Sequence, residues 1–336
     1  MGLDIVLLLI SLLVILVGAE VFTNSIEWLG KKLNLGDSAV GSVFAAVGTA
    51  LPETIIPIIA ILSHSEGSEG HDVGIGAILG APFMLATLAM FVTGLAAFIK
   101  RRNNAPMNVI PETMKRDMRF FLLVYTVAIL ASFLPAYALK IIVVAFLVAA
   151  YIYYVYKTIK SSIGKHSEEG EDRRPLYLMR KSADPPLAVV LVQLAAALGI
   201  IITGANIFVG SVQAVAAFAG VPVLILSLII TPIATELPEK FNSIIWVSRG
   251  KDTLALGNIT GAMVFQSSLI PAIGILLTDW KLEPIALLSA ALALIAVVYQ
   301  YTGLVGKHKL TPAHLLASGL FYFVFLVSII ATGGQL

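Results

Sequence analysis

Long apolar runs, almost free of charge and separated by short polar connections, make up most of the chain. An apolar run of 18 or more residues reads as a bilayer-spanning helix, since about 20 residues at 1.5 Å rise cross the hydrocarbon core. Ten such runs are expected, over roughly residues 3–29, 38–63, 72–99, 119–135, 138–157, 186–218, 222–248, 253–278, 284–303 and 312–332. The first run, through Ala19, has no basic segment before it and no evident cleavage site, and is read as a retained helix. The expected fold is therefore all-α: a polytopic membrane protein of ten transmembrane helices. The two longest connections, 100–118 and 158–185, are polar and charged.

Composition sharpens this reading. The chain is 58% hydrophobic and 12% charged over 336 residues, against about 45–50% apolar and 25% charged in a soluble domain. There is no cysteine, which excludes disulfides, thiolate metal sites and cysteine catalysis. The net charge of +2 says little, but its distribution says more. With ten spans, all of the 22 basic residues except Lys140, Lys240 and Lys281 fall in the odd-to-even connections or at their edges. Cytoplasmic loops collect Lys and Arg, so both termini are expected outside the cytoplasm of a multi-pass cell-membrane protein.

The chain also repeats. Shifted by 186 positions, residues 18–53 align without a gap, so that Gly18, Ala19, Phe22, Ser25, Thr49, Leu51, Pro52 and Glu53 meet Gly204, Ala205, Phe208, Ser211, Thr235, Leu237, Pro238 and Glu239. Further on, at a shift of 181, Gly76, Gly80 and Ala81 meet Gly257, Gly261 and Ala262. Each half holds five spans, an odd number, so the second enters the membrane in the opposite sense. The expected arrangement is two inverted-topology five-helix repeats, residues 1–157 and 186–336, joined by a cytoplasmic linker at 158–185. That linker mixes acidic, basic and small residues and is read as solvated.

The shared Thr-x-Leu-Pro-Glu element falls inside the second and seventh spans. Proline lacks an amide hydrogen and crowds the carbonyl four residues earlier, so Pro52 and Pro238 are expected to break the helices and free carbonyls near Gly48 and Ala234. Such backbone at membrane depth is tolerated where it lines a cavity or is buried in protein, and freed carbonyls suit hard cations. A carboxylate stands directly after each proline, Glu53 and Glu239. A lone ionised glutamate in hydrocarbon costs several kcal/mol. Two facing ones repel unless a cation lies between them. A divalent ion restores neutrality, with threonine oxygens from Thr49 and Thr235 completing an oxygen-only shell.

Gly48-Thr49-Ala50-Leu51-Pro52-Glu53 and Thr235-Glu236-Leu237-Pro238-Glu239 resemble the two alpha repeats of the calcium/cation antiporter superfamily. Gly257-Asn258-Ile259-Thr260-Gly261 is similar to the start of the following helix in sodium/calcium exchangers. The resemblance implies an antiporter, often exporting calcium against sodium or proton influx, whose two motif glutamates ligate calcium while nearby polar side chains complete the ion sites. Several of those oxygens are missing here: Ala50, Ala77, Ala81, Leu85 and Ala262 stand at positions that are polar in the family. Asn258 is kept, Gln266 takes an acidic or amide position, and Glu236 takes a serine position. Glu236 lies three residues before Glu239, close to one helical face, where it would add charge to the site, carry a proton, or pair with Lys240. Gln266 reads equally as an interhelical hydrogen bonder. The candidate ion ligands are thus Glu53, Glu239, Thr49, Thr235, Glu236, Asn258 and Gln266.

Other features carry weaker signals. The outer connection from His64 to Asp72 is read as a solvated loop, and Glu20 and Asn206, at equivalent positions, as polar residues along the path. Pro57, Pro82, Pro232 and Pro271 suggest further kinks, and Tyr151, Tyr153, Tyr154 and Tyr156 an interfacial anchor. No phosphate-binding loop, nucleophile–base set or nucleic-acid signature is present, which disfavours an ATP-driven pump, an enzyme and a nucleic-acid partner. The expected partners are inorganic cations and the bilayer; a monomer is compatible with the pattern, and no cofactor is expected. The expected function is sodium/calcium antiport by alternating access, with spans one and six as the moving gate; proton-coupled exchange of calcium or another divalent ion is the alternative. A passive channel and an intramembrane hydrolase are the remaining rivals.

Overall fold

The structure is a computed structural model that describes residues 2–32, 51–63, 68–101, 105–162, 174–182, 184–306 and 309–332. Side chains at 30, 51, 52, 63, 68, 69, 159, 161, 162, 234 and 237–242 lie outside that description. Every regular element among the described residues is helical. They are α1 Gly2–Lys32, α2 Leu51–Ser63, α3 Ser68–Met84, α4 Met90–Arg101, α5 Pro111–Leu130, α6 Tyr137–Ser162, α7 Leu187–Ala219, α8 Val223–Ser248, α9 Asp252–Leu277, α10 Pro284–Gly306 and α11 Pro312–Thr332. A π-helical turn, Leu85–Ala89, joins α3 to α4 in one rod. Among the described residues, seven helical stretches are long and apolar enough to cross a membrane: Gly2–Leu29, Gly70–Arg101, Tyr137–Thr158, Leu187–Ala219, Asp252–Leu277, Pro284–Gly306 and Pro312–Thr332. The remaining expected spans are shorter or more polar. In α8 the apolar stretch among the described residues is Val223–Ile233.

Burial sorts these helices. The α3–α4 rod is central, with 83% of its most apolar stretch buried, against 28% for α1 and for α7. Its core is one large cluster with α5, α8, α9, α10 and α11, built around Phe83, Phe121, Tyr125 and Trp280. A second cluster joins α1, α2 and α7 through Ile15, Phe22, Ile56, Ile201 and Phe208. Helices from the two halves of the chain interleave: α1 lies along α7, α8 along α3, and α9 against α5 and α6.

Small residues allow the closest approaches, as expected where lipid supplies no hydrophobic force between helices. A Cβ on Gly80 would lie 2.6 Å from Pro232 Cγ, and one on Gly76 would lie 2.7 Å from Ser227 Cβ, so α3 rests on α8 backbone to backbone. The α1–α7 crossing is reciprocal: a Cβ on Gly18 would meet Ile201 Cγ1 at 2.7 Å, and one on Gly204 would meet Ile15 Cγ1 at 2.8 Å. Gly18 and Gly204, like Ile15 and Ile201, are related by the 186-residue shift.

The helix ends meet in the sets that the charge pattern separates. Lys32 bonds Asp184 at 2.7 Å, Arg101 bonds Asp252, and Met107 N donates to Leu310 O at 2.7 Å. At other ends, Lys140 donates to Asp279 O and Trp280 Nε1 to Ala128 O at 2.9 Å. Trp280 has φ 48°, a left-handed backbone that a bulky residue rarely adopts, and its fully buried indole packs over Gly274.

Two expectations need correction, and a third lies at the edge of the described residues. The helix does not break at Pro238: α8 runs without interruption from Val223 to Ser248, past Pro232 as well. Proline removes one backbone donor, which a helix held on both sides can absorb, so the carbonyl four residues earlier is still freed by covalent structure alone. The break expected at Pro52 falls at the edge of the described residues, since those before Leu51 lie outside them. The linker is not simply solvated: α6 extends into it to Ser162, and Leu176 within it is fully buried.

Candidate functional site

The site forms where α8 passes α3 and α9. Ser227, Thr231 and Thr235 recur at four-residue intervals, so they share one face of α8, and all are buried. Ser227 Oγ donates to Val73 O on α3 at 2.7 Å and lies 3.1 Å from Thr231 Oγ1. Thr235 Oγ1 donates to Thr231 O at 3.1 Å. Each hydroxyl commits its proton within the protein, which leaves oxygen lone pairs for a cation.

Glu236, next along α8, is fully buried, and Gln266 on α9 is buried beside it. Gln266 Nε2 donates to Glu236 Oε1, an interhelical bond inside the bundle. The alternative amide orientation would set oxygen against carboxylate oxygen, so the partner fixes which way the amide points. Gln266 Oε1 accepts no hydrogen bond from the described residues. Glu53, in the first turn of α2, is buried at 5% exposure, on a helix that touches both α8 and α9. Two buried carboxylates therefore stand on elements that meet, in a part of the protein where an ionised group is expensive and marks function.

The remaining candidates divide. Asn258 lies on α9, two turns before Gln266, and is partly exposed. Thr49 lies outside the described residues, and Glu239 is placed only by its backbone in α8. The structure thus brings Glu236 and Gln266 into contact and buries Glu53 and Thr235. Glu20 and Asn206 are not part of this group. Glu20 is 52% exposed and takes bonds from Arg174 and Tyr177, while Asn206 Nδ2 donates to Ile202 O in its own helix at 2.9 Å.

Two supporting residues carry no clear mark in the sequence. Asp117 is buried and ties three helices: Oδ1 accepts from Arg116 Nη2 at 3.0 Å and Tyr154 OH at 3.1 Å, and Oδ2 accepts from Thr260 Oγ1 at 2.9 Å. Tyr154 is thus an internal strut, whereas Tyr153 and Tyr156 are exposed beside Lys157 and Lys160, as an interfacial anchor should be. Asp252, in the first turn of α9, takes Arg101 and accepts Asn108 N at 2.7 Å. Asp252 ties down the start of the helix that carries Asn258 and Gln266, and Asp117 holds the same helix at Thr260. The available signal is an acid embedded in a basic run, Lys115-Arg116-Asp117, which solvated loops also show.

Interleaved apolar helices that bury Glu53 and Glu236 are the architecture of a polytopic membrane protein. The family model of the sodium/calcium exchanger protein matches residues 3–160 and 189–331, and the chain belongs to that family. Its relatives include the inner membrane protein YrbG of Escherichia coli (strain K12), 25% identical over 283 residues, covering 83% of this chain and 82% of that protein. The putative antiporter CaxA of Alkalimonas amylolytica is 24% identical over 282 residues, covering 84% and 83%. In fold, the chain is similar to the H+/Ca2+ exchanger CAX, with a TM-score of 0.75 at 17% identity, covering 97% of this chain and 82% of that one. It is also similar to the sodium-calcium exchanger NCX_Mj, with a TM-score of 0.57 at 18% identity, covering 97% and 98%.

Proposed function

We propose that the protein is a secondary active antiporter exchanging calcium for sodium by alternating access. The observation that carries this reading is a fully buried Glu236, oriented by Gln266, in a bundle that also buries Glu53. Buried carboxylates on helices that meet, together with the buried hydroxyls of α8, match the hard-oxygen preference of calcium. Glu53 and Glu239 hold the divalent ion; Thr49, Thr235, Asn258 and Gln266 contribute neutral oxygens; and Glu236 adjusts the charge. Family membership supports exchange over a channel or a hydrolase.

A second reading, exchange of protons for calcium or another divalent ion, is favoured by one feature of this chain. Oxygens have been lost at Ala77, Ala81, Leu85 and Ala262, while a carboxylate has been gained at Glu236. Fewer neutral oxygens weaken a sodium shell, and an additional buried acid can carry a proton.

The same reading takes the chain as ten spans in two inverted repeats, residues 1–157 and 186–336, with both termini outside the cytoplasm of a monomer in the cell membrane. The reciprocal Gly18–Ile201 and Gly204–Ile15 contacts support a twofold relation between α1 and α7, the pair assigned to the moving gate. The test is calcium uptake into proteoliposomes driven by an outward sodium or proton gradient. Glu53→Gln and Glu239→Gln should each lower the initial rate at least about a hundredfold, as expected for losing a charged ligand worth about 3 kcal/mol. Transport retained in both variants contradicts the site.

A further inference from the structure

Part of the segment between the two halves packs against the protein. Residues 174–182 fold back onto the paired ends of α1 and α7. Leu176 is fully buried between Trp28 of α1 and Val190 of α7. Around it lies a hydrogen-bonded network. Trp28 Nε1 donates to Arg174 O at 3.2 Å, and Asn24 Nδ2 donates to Pro175 O at 3.3 Å and Arg174 O at 3.4 Å. Asn24 Oδ1 accepts Tyr177 N at 3.2 Å and Gln193 Nε2 at 3.0 Å. Gln193 Oε1 accepts Leu178 N at 2.8 Å, while its Nε2 also reaches Ser25 Oγ at 2.8 Å and Val21 O at 3.3 Å. Gln193 of α7 is therefore bonded at once to α1 and to the linker. An exposed fringe, Arg174 and Tyr177 on Glu20 and Lys32 on Asp184, surrounds this core.

Among the described residues, the network has no counterpart at the other end of the helix pair. Under the 186-residue shift that relates Gly18 to Gly204, the counterparts of Asn24, Trp28 and Gln193 are Gly210, Ala214 and Leu7. None of these has an amide side chain or an indole. The crossing itself is symmetric, so the lock is an addition to it.

We propose that residues 174–182 are a latch that joins α1 and α7 into one body, with Asn24 and Gln193 as its positioning residues. This rests on the reading of α1 and α7 as the moving gate. Releasing the latch would strip partners from two amides that are 4% and 1% exposed and uncover Leu176. Buried groups left unsatisfied are costly, so the latch stays closed while the pair moves, and the linker travels with it. The two helices then transmit motion together rather than sliding apart at the linker end.

The absence of native cysteine makes the test clean. Glu20→Cys, at an exposed position, and Tyr177→Cys, at a half-buried one whose hydroxyl bonds Glu20, both outside the buried amides, are joined by a short bifunctional thiol reagent in proteoliposomes. Calcium uptake should stay within about twofold of the unlinked double variant, since the link joins parts that already move together. Loss of uptake on linking, restored by cleaving the reagent, overturns the proposal. In parallel, Gln193→Leu should lower the maximal rate about tenfold while leaving the calcium KM within about twofold, the split expected when a gate is loosened and a binding site is not. A change in KM alone overturns the positioning role. Trp28→Phe, which removes one bond and keeps the ring, serves if Gln193→Leu does not fold. Amide exchange at Tyr177 and Leu178 gives a readout that needs no transport. Both amides should be protected in the native chain and lose protection in Gln193→Leu; fast exchange in the native chain refutes the latch. A native chain that keeps this protection yet moves no calcium under either gradient counts against the exchange reading instead.

Discussion

Gln266 and Glu236 support each other in a way common at membrane depth: the carboxylate orients the amide donor, and the amide keeps the buried carboxylate tolerable. Gln266→Leu removes the donor and leaves the acid buried, at a cost of about 1–3 kcal/mol. The variant should melt earlier in detergent and transport calcium at least about tenfold more slowly; unchanged melting and rate would show that the bond does not hold the site. A different residue bears on pH. The hydrogen bond from Lys32 holds the Asp184 carboxyl below its usual range, with partial opposition from desolvation. A depressed carboxylate contributes above its unfolded pKa, about 3.9, and loses that contribution as the pH falls through the lower folded value. The pair is therefore intact across about pH 5–8, and Asp184→Asn should leave the shape of the transport–pH profile unchanged in that window. A shifted profile would mean that Asp184 couples to the transported ions.

Among the elements, the contact of α3 with α8 is the tightest test of packing. A Cβ at Gly80 would press on the Leu228 carbonyl and on Pro232, and backbone cannot yield as a flexible side chain can. Gly80→Ala should destabilise by about 1–3 kcal/mol. Gly210 of α7 has nothing within 4 Å of an added Cβ, and Gly210→Ala should be neutral or stabilising by up to about 1 kcal/mol. Comparing the two melting temperatures checks both. The helices themselves are legible from the apolar runs, because membrane depth imposes their length. Their continuity is not. Pro238 carries the local signature of a break, yet α8 stays helical through it, in a bundle where α3 and α9 both pack against α8. The burial in the linker is hidden for a related reason: Leu176 is a single buried apolar side chain, and its partner Trp28 is far away in sequence.

For the whole molecule, the segregation of basic residues carries more information than any single motif. It sorts the connections into two sets, and the structure joins Lys32 to Asp184 and Arg101 to Asp252 within one set, and Lys140 to Asp279 within the other. If these are opposite membrane faces, a cysteine at Lys100 and one at Lys281 should react with an impermeant thiol reagent from opposite sides of sealed vesicles. Labelling of both from one side would overturn the ten-span arrangement. The candidate site is legible in part: Glu53, Thr235, Glu236 and Gln266 stand out as polar residues in apolar spans. Asp117 and Asp252 are hidden because acids beside basic loops do not stand out. The central claim is coupled cation exchange at buried carboxylates. Its most direct test is calcium flux in proteoliposomes, with sodium and proton gradients imposed one at a time, on the native chain and on Glu53→Gln. Uptake driven by one of the two gradients, absent without it and abolished in the variant, is expected. Calcium movement that tracks its own gradient alone, with no response to either counter-ion, would contradict exchange.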